Sequence, residues 1–128
     1  MKAYTDIEQS KKLAEILPLE SADMSINHSL FHNMTTVLTT PYKKLHEFFS
    51  GDTPDTTLPC WSLAALLYIL SDRASSIDED ANVILSSYKT VEWWDLSICN
   101  SVIEPVTKSD PIDACVEMIL KLHKEKLL

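Results

Sequence analysis

The most apolar stretch of the chain reads Pro59-Cys-Trp-Ser-Leu-Ala-Ala-Leu-Leu-Tyr-Ile-Leu70. Its leucine and alanine residues favour a helix over a strand, and a helix that is apolar on nearly every side is expected to be buried. Residues 61–70 are about half as long as the roughly 20 residues that span a membrane, so we expect no transmembrane helix. The stretch therefore predicts a central buried helix at about residues 60–70.

A helix is also predicted near the N-terminus. Thr5 and Glu8 have the spacing of a capping box, in which each side chain accepts a hydrogen bond from a backbone N–H group at the start of a helix. Apolar residues then recur near helical spacing until Pro18, which a continuing helix cannot accommodate. We therefore expect the first helix at about residues 6–16.

Two more helices are predicted from their start signals. Asp110 can cap a helix and Pro111 suits its first turn, so the last helix is expected to run from there to about Lys126. Pro41 suits the first position of a helix, and Gly51 suits the position just past its end. They indicate a further short helix at about 41–49. The chain thus carries signals for three to four helices.

Two regions of the chain carry the β-branched residues and the alternation that are typical of strands. The first region flanks a turn at 28–33, residues 52–58 are expected to form a loop, and the second region begins with a hairpin around 78–81. Because the strands come in local pairs, the sheet should be small and mostly antiparallel, and residues 1–128 should form a single α+β domain. The strands are predicted at about 24–26, 34–37, 74–77, 82–88 and 91–99.

Acidic residues are concentrated in the middle of the chain. The formal net charge is −8, and residues 45–113 contain twelve acids against three bases. Binding to the phosphates of nucleic acid needs clustered lysine and arginine, so direct nucleic acid binding is not expected. The acidic middle instead favours a partner with a basic surface, or serves to keep the protein in solution.

The cysteines and the N-terminus indicate a cytoplasmic protein. Cys60, Cys99 and Cys115 are odd in number and widely spaced, which favours reduced, mostly buried thiols over a disulfide framework. The first ten residues contain no apolar run of the signal-peptide type. Because the chain has one glycine, we expect no glycine-built phosphate loop, and we predict no cofactor.

Two sets of residues keep an enzyme open as an alternative. His28 and His32 have the spacing of zinc ligands on a helix, but they fall in a predicted turn and lack the glutamate of the HExxH motif. Cys60, at the expected start of the central helix, could be a nucleophile if a histidine lay beside it. We expect no enzyme and no metal site, and a small thiol-dependent or metal-dependent hydrolase is the alternative.

Three segments resemble a family of short uncharacterised proteins from gut anaerobic bacteria and from their phages and mobile elements. The segments are Glu8-Gln-Ser-Lys-Lys-Leu-Ala-Glu-Ile-Leu-Pro-Leu-Glu-Ser-Ala-Asp-Met24, Pro59-Cys-Trp-Ser-Leu-Ala-Ala-Leu-Leu67 and Asp110-Pro-Ile-Asp-Ala-Cys-Val-Glu-Met-Ile-Leu-Lys-Leu-His123. They cover about a third of the chain. The resemblance implies a shared scaffold and a mobile-element origin, and it implies no particular activity.

The run Glu92-Trp93-Trp94-Asp95 is the strongest candidate for a binding site. Adjacent tryptophans on a strand point to opposite faces, so either one of them is exposed or helices cover both faces of the sheet. An exposed tryptophan beside acids is typical of an anchor for a protein partner. The candidate partner-binding residues are Trp93, Trp94, Glu92, Asp95, Asp78, Glu79 and Asp80.

These observations predict a small, acidic, non-enzymatic interaction protein of the mobile-element type that masks a basic surface of its partner. In a sharper version of this hypothesis the acids imitate nucleic acid, which requires many carboxylates on one surface. A homo-oligomeric structural protein is a further alternative. The acids that the sharper version needs together are Asp72, Asp78, Asp80, Glu92 and Asp95.

Overall fold

A computed structural model describes residues 1–29, 34–44, 57–88, 93–99 and 101–128. These residues contain a short 3-10 helix at Leu19–Ser21, a helical segment at 42–44 and three longer α-helices, which are α1 (Ile7–Ile16), α2 (Leu63–Ile77) and α3 (Pro111–Lys124). The strands are β1 (Met24–Ser29), β2 (Met34–Leu38), β3 (Thr57–Cys60), β4 (Asn82–Tyr88), β5 (Trp93–Cys99) and β6 (Val106–Lys108). They form two antiparallel three-stranded sheets, so the predicted α+β class is confirmed.

The chain forms two compact units. The first unit is Tyr4–Ala65, and the second unit is Met1–Ala3 together with Leu66–Leu128. The boundary falls inside α2, whose first three residues belong to the first unit. That the whole chain behaves as one domain stays a prediction.

The first unit holds helix α1 and a sheet with the strand order β2-β1-β3. β1 and β2 are antiparallel, with Ile26 opposite Val37, which confirms the strand pair predicted on either side of residues 28–33. α1 packs against β3. Leu13 of α1 is fully buried and Ile26 nearly so, and they contribute to the core of this unit.

The first helix begins one residue later than the sequence predicts. Its N-cap is Asp6, whose carboxylate accepts a hydrogen bond from Gln9 N at 2.8 Å, while the Gln9 side chain accepts one from Asp6 N at 3.1 Å. The predicted capping box of Thr5 and Glu8 is therefore wrong. The reason is that Thr5 is fully buried, and its hydroxyl is engaged inside the unit.

Thr5 joins the segment before α1 to the end of β3. Its backbone N–H donates a hydrogen bond to Trp61 O at 3.0 Å, and its hydroxyl accepts one from Trp61 N at 3.1 Å. The same hydroxyl oxygen lies 2.8 Å from Ser10 Oγ and 3.6 Å from Cys60 Sγ. All four residues are fully buried. The network therefore gives buried polar groups the partners that they need.

The helix predicted at about 60–70 is α2, which begins at Leu63. Its Leu66 and Leu70 are fully buried, whereas Ala64 and Tyr68 are exposed, so only one side of the helix is buried. Ser62 precedes it, and its hydroxyl accepts a hydrogen bond from Ala65 N at 3.2 Å and donates one to the carboxylate of Asp23. The first two residues of the apolar stretch belong to β3 instead, which pairs with β1. The predicted loop is also wrong at residues 57–58, because they form the start of β3.

α2 extends past its predicted end, to Ile77. Leu66, Leu70 and Ala74 are fully buried and recur every four residues, so the apolar stripe of the helix continues beyond the most apolar stretch of sequence. The strand predicted at 74–77 is therefore wrong. The turn that follows joins a helix to β4 rather than one strand to another.

The second unit holds helix α3 and a sheet with the strand order β4-β5-β6. α3 packs against β5 and β6. Leu96 and Ile98 of β5 and Val106 of β6 are at most 7% exposed, and Leu96 lies opposite both Leu85 and Val106. One face of this sheet is thus the core face of the unit.

The remaining helix predictions agree with the structure where it describes them. Asp110 caps α3, with Oδ1 accepting a hydrogen bond from Ile112 N at 2.9 Å, and the helix ends at Lys124. Residues 42–44 are helical as predicted, and the rest of the helix predicted at 41–49 lies outside the described residues. Within those residues, the helices are too short or too polar to cross a membrane.

Candidate functional site

One face of the β4-β5-β6 sheet is exposed to solvent. Successive residues of a strand point to opposite sides, so the odd-numbered residues of β5 share a face with their register partners on β4 and β6. Among the described side chains of this face, the large apolar ones of Trp93 and Ile84 are 47% and 46% exposed. We call this surface the open face, and its described members are Asn82, Ile84, Ser86, Trp93, Asp95, Ser97, Cys99 and Thr107.

The two tryptophans divide between the faces as strand geometry predicts. Trp93 stands on the open face, at the start of β5. Trp94 belongs to the core face, where it is half-buried and lies opposite Ser87 of β4 and Lys108 of β6. Trp93 is therefore the candidate anchor. The neighbouring Glu92 lies outside the described residues.

Asp95 lies two residues from Trp93 on the open face. Its Oδ1 accepts a hydrogen bond of 3.0 Å from Thr107 Oγ1, across the pair of β5 and β6. Two residues along a strand span about 7 Å, so one partner side chain can contact both the indole and the carboxylate. An arginine or lysine suits this arrangement, because its cation can meet the carboxylate while its apolar stem lies on the indole.

The acidic turn before β4 lies away from Trp93. Asp78 Oδ1 accepts a hydrogen bond from Asp80 N at 2.9 Å, which closes the turn locally, and Glu79 between them is exposed. The turn leads into the first residue of β4, whereas Trp93 pairs with Tyr88, the last residue of β4. A strand of this length spans about 20 Å. The predicted partner-binding residues therefore form two groups rather than one.

Acidic residues are sparse on the open face. Asp95 is the one acid among its described members. Asp72 lies on α2, and Asp78 and Asp80 lie in the turn before β4. Imitation of nucleic acid needs a dense row of carboxylates on one surface, so this distribution gives that version of the hypothesis no support.

Two acids of the acidic middle have structural partners within the second unit. Asp110 is 8% exposed and accepts hydrogen bonds from the backbone N–H groups of Lys2 at 2.6 Å and Ile112 at 2.9 Å. Asp113 forms an ion pair with the Lys2 ammonium group, at 2.8 Å between Nζ and Oδ1. These contacts hold the N-terminal residues against the start of α3. Helix capping and charge pairing account for both carboxylates.

Cys60 is a buried thiol at the end of a strand, not a thiol at the start of a helix. It is fully buried. Burial raises the pKa of Cys60, the hydrogen bond with Thr5 offsets part of this increase, and the charge of Asp23 adds to it. A raised pKa keeps the thiol protonated, which is the opposite of what a cysteine nucleophile needs.

The other two cysteines lie in different surroundings. Cys115 of α3 is fully buried, and burial together with the charge of Asp110 raises the pKa of Cys115 to about 12. Cys99 is half-buried on the open face. All three thiols are free, and two of them are fully buried, in agreement with the prediction of mostly buried cysteines.

The histidine pair falls largely outside the described part of the chain. His32 and the side chain of His28 lie outside it, as does His46, while His123 is exposed near the end of α3. The backbone of His28 belongs to β1, where the helical spacing of zinc ligands does not apply. Among the described residues, no group of three or more histidine, cysteine, aspartate or glutamate side chains is placed to hold a metal ion.

The first unit contains a pocket of about 480 Å³ between the start of α1 and the strands β1 and β2. Ile26, which is 1% exposed, and Val37 belong to its apolar lining, and the exposed residues Asp6 and Glu8 belong to its polar lining. The described residues that line it supply no thiol, imidazole or amine for catalysis. The lining residues are Tyr4, Thr5, Asp6, Ile7, Glu8, Ile26, Thr35 and Val37.

Only part of the open face could be predicted from the sequence. The local pattern indicated Trp93 and Asp95, whereas Ile84 and Thr107 join them on this face through strand register. The strand at 82–88 was predicted, but its apolar run Val83-Ile84-Leu85 does not reveal which side chain is exposed, and β6, with three residues, carries no pattern of its own. The pocket could not be predicted because residues 4–8 and 26–37 line it together only in the folded unit.

Comparisons with known proteins identify no relative of this chain. No family model matches it, and no curated protein or solved structure shows significant similarity to it.

Proposed function

We propose that this protein is a small, non-enzymatic interaction protein that binds a protein partner through the open face. The exposure of Trp93 carries the proposal. Nearly half of this residue is in contact with water, on the same face as the exposed Ile84. Tryptophan is among the residues that contribute most to binding energy in protein interfaces, so an exposed tryptophan is a candidate anchor.

The partner surface that fits is apolar with a basic residue at its edge. Asp95 places a carboxylate about 7 Å along the strand from Trp93, where the cation of a partner residue would meet it. The net charge of −8 adds a long-range attraction toward basic proteins. In this proposal the protein masks part of a basic surface through a tryptophan anchor, and not through a row of carboxylates.

We further propose that the protein acts in the cytoplasm and derives from a mobile element. Three free thiols support a reducing compartment, because disulfides form in oxidising ones. The resemblance of residues 8–24, 59–67 and 110–123 to proteins of phages and mobile elements supports the origin. The genomic neighbourhood of the gene tests this origin. We expect genes for integration or phage assembly beside it, and housekeeping genes on both sides would count against a mobile-element origin.

Affinity capture from the native host tests the proposed function. The wild-type chain is compared with Trp93→Ala and with Tyr68→Ala, a control that truncates an aromatic residue of α2 that is 75% exposed. We expect a specific partner to be captured by the wild type and by Tyr68→Ala and to be lost with Trp93→Ala. Circular dichroism establishes that both variants are folded. The same partners on all three proteins would overturn the role of Trp93.

A further inference from the structure

The β4 edge of the second sheet lacks the features by which proteins protect an edge strand. β4 pairs with β5 on one side and has no strand on its other side among the described residues. Its sequence is Asn82-Val-Ile-Leu-Ser-Ser-Tyr88, which contains no charged residue and no proline. An edge strand presents unpaired N–H and C=O groups, and these pair with another strand unless charge, proline, a bulge or a short length prevents it.

The other edge strands of the described structure are better protected. β3 has four residues and contains Pro59, and β6 has three residues and contains Lys108. β2 is uncharged but shorter than β4, and it exposes the polar residues Thr35 and Thr36. β4 has seven residues and exposes Ile84. β4 is therefore the described edge strand with the fewest features that would prevent another strand from pairing with it.

We propose that β4 pairs with β4 of a second copy of this chain in an antiparallel, two-fold symmetric dimer. The two three-stranded sheets would then form one sheet of six strands. In the register that pairs all seven residues, Leu85 lies opposite Leu85 of the second copy. Ile84 then lies opposite Ser86 of the second copy. Because β4 is uncharged, no like charges of β4 meet in this register.

A second copy supplies this edge with a strand that has the same length and no charge. Each copy of the chain carries a net charge of −8, so two copies repel one another wherever their acids approach. β4 is a strand along which two copies can approach without bringing its own charges together. Pairing across a two-fold axis keeps directly opposite residues on the same side, so both open faces would lie on one side of the joined sheet. The inference does not depend on the partner proposed for Trp93.

The mass of the full-length chain in solution tests the dimer. Sedimentation or light scattering over a range of concentrations should give twice the chain mass of 14.5 kDa. The variant Ile84→Lys/Ser86→Lys places like charges directly opposite each other across the two-fold axis, and both native side chains are exposed. We expect this variant to raise the dissociation constant about tenfold, because two pairs of like charges then oppose one another. It also lowers the net negative charge, so a loss of the dimer could not come from general repulsion between copies.

Two further variants make this test specific to the register. Ile84→Lys/Ser86→Glu places opposite charges across the same pairs, so the dimer should be retained. Thr36→Lys/Val102→Lys adds two positive charges at exposed residues outside β4, one of them on the uncharged edge strand β2, and should also leave the dimer intact. A wild type that is monomeric at every concentration would overturn the proposal. Equal dissociation of all three variants would overturn it too.

Discussion

Thr107 Oγ1 donates a hydrogen bond of 3.0 Å to Asp95 Oδ1 and thereby links the short strand β6 to the central strand β5 on the open face. β6 has three residues and shares three register pairs with β5, so this side-chain contact supplements a short backbone ladder. It also fixes the position of the carboxylate relative to Trp93. The contact is therefore part of both the fold of the second unit and the proposed binding surface.

The charge of Asp95 should strengthen binding of a basic partner. Asp95→Asn removes the charge but retains an oxygen that can accept the hydrogen bond of Thr107, so the fold should be preserved. We expect the affinity for the captured partner to fall severalfold at low salt, and the variant to be less sensitive to added salt than the wild type. Titrations at two ionic strengths measure both effects. Identical salt dependence of the two proteins would argue against a direct role of the carboxylate.

Asp110 should contribute more to stability than Asp113, although both lie at the start of α3. Asp110→Ala removes the acceptor for Lys2 N and Ile112 N, and loss of an N-cap costs about 1–2 kcal/mol. Asp113→Asn removes an ion pair whose side chains are 39% and 30% exposed, and such pairs contribute less than about 1 kcal/mol. Urea denaturation gives both free energies of unfolding. The reverse order of effects would contradict this account of the two carboxylates.

The hydroxyl of Thr5 should stabilise the first unit. Thr5→Val preserves the shape of the side chain but leaves the buried N–H group of Trp61 without the acceptor on which it depends. An unsatisfied buried donor costs about 1–3 kcal/mol. Thr5→Ser keeps the hydroxyl and is the matched control. Chemical denaturation should therefore rank Thr5→Val as less stable than Thr5→Ser, and an equal or higher stability of Thr5→Val would show that the hydroxyl contributes little.

Elements with local signals could be predicted from the sequence, and elements that depend on distant partners could not. The Asp110-Pro111 pair indicated the start of α3, and the strand-forming residues on either side of residues 28–33 indicated β1 and β2. β3 and β6 are too short to carry a pattern, and they exist as strands because β1 and β5 pair with them. The cap at Asp6 was missed because the sequence does not reveal that Thr5 is buried.

The candidate site, too, could be predicted where its signals are local and not where it depends on strand register. Strand periodicity alone separated Trp93 from Trp94, and the structure places Trp93 on the exposed side. The distance between Trp93 and the acidic turn at 78–80 depends on the register of β4 and β5, which no local pattern contains. The sequence at 78–81 predicts the turn of a hairpin, but α2 continues to Ile77 and directly precedes this turn. The residues of α2 after Ala74 are polar up to Ser76, so the sequence gives little indication that the helix continues there.

The buried thiol of Cys115 should make stability depend on alkaline pH. Burial, with the charge of Asp110, raises the pKa of Cys115 from 9.0 to about 12, so between these values the unfolded chain loses a proton that the folded chain retains. The stability that this group contributes is fully present below about pH 9 and is lost as the pH rises toward about 12. The difference in free energy of unfolding between the wild type and Cys115→Ala should therefore shrink over this range. Denaturant titrations at several pH values measure it, and a difference that does not change with pH would contradict the raised pKa.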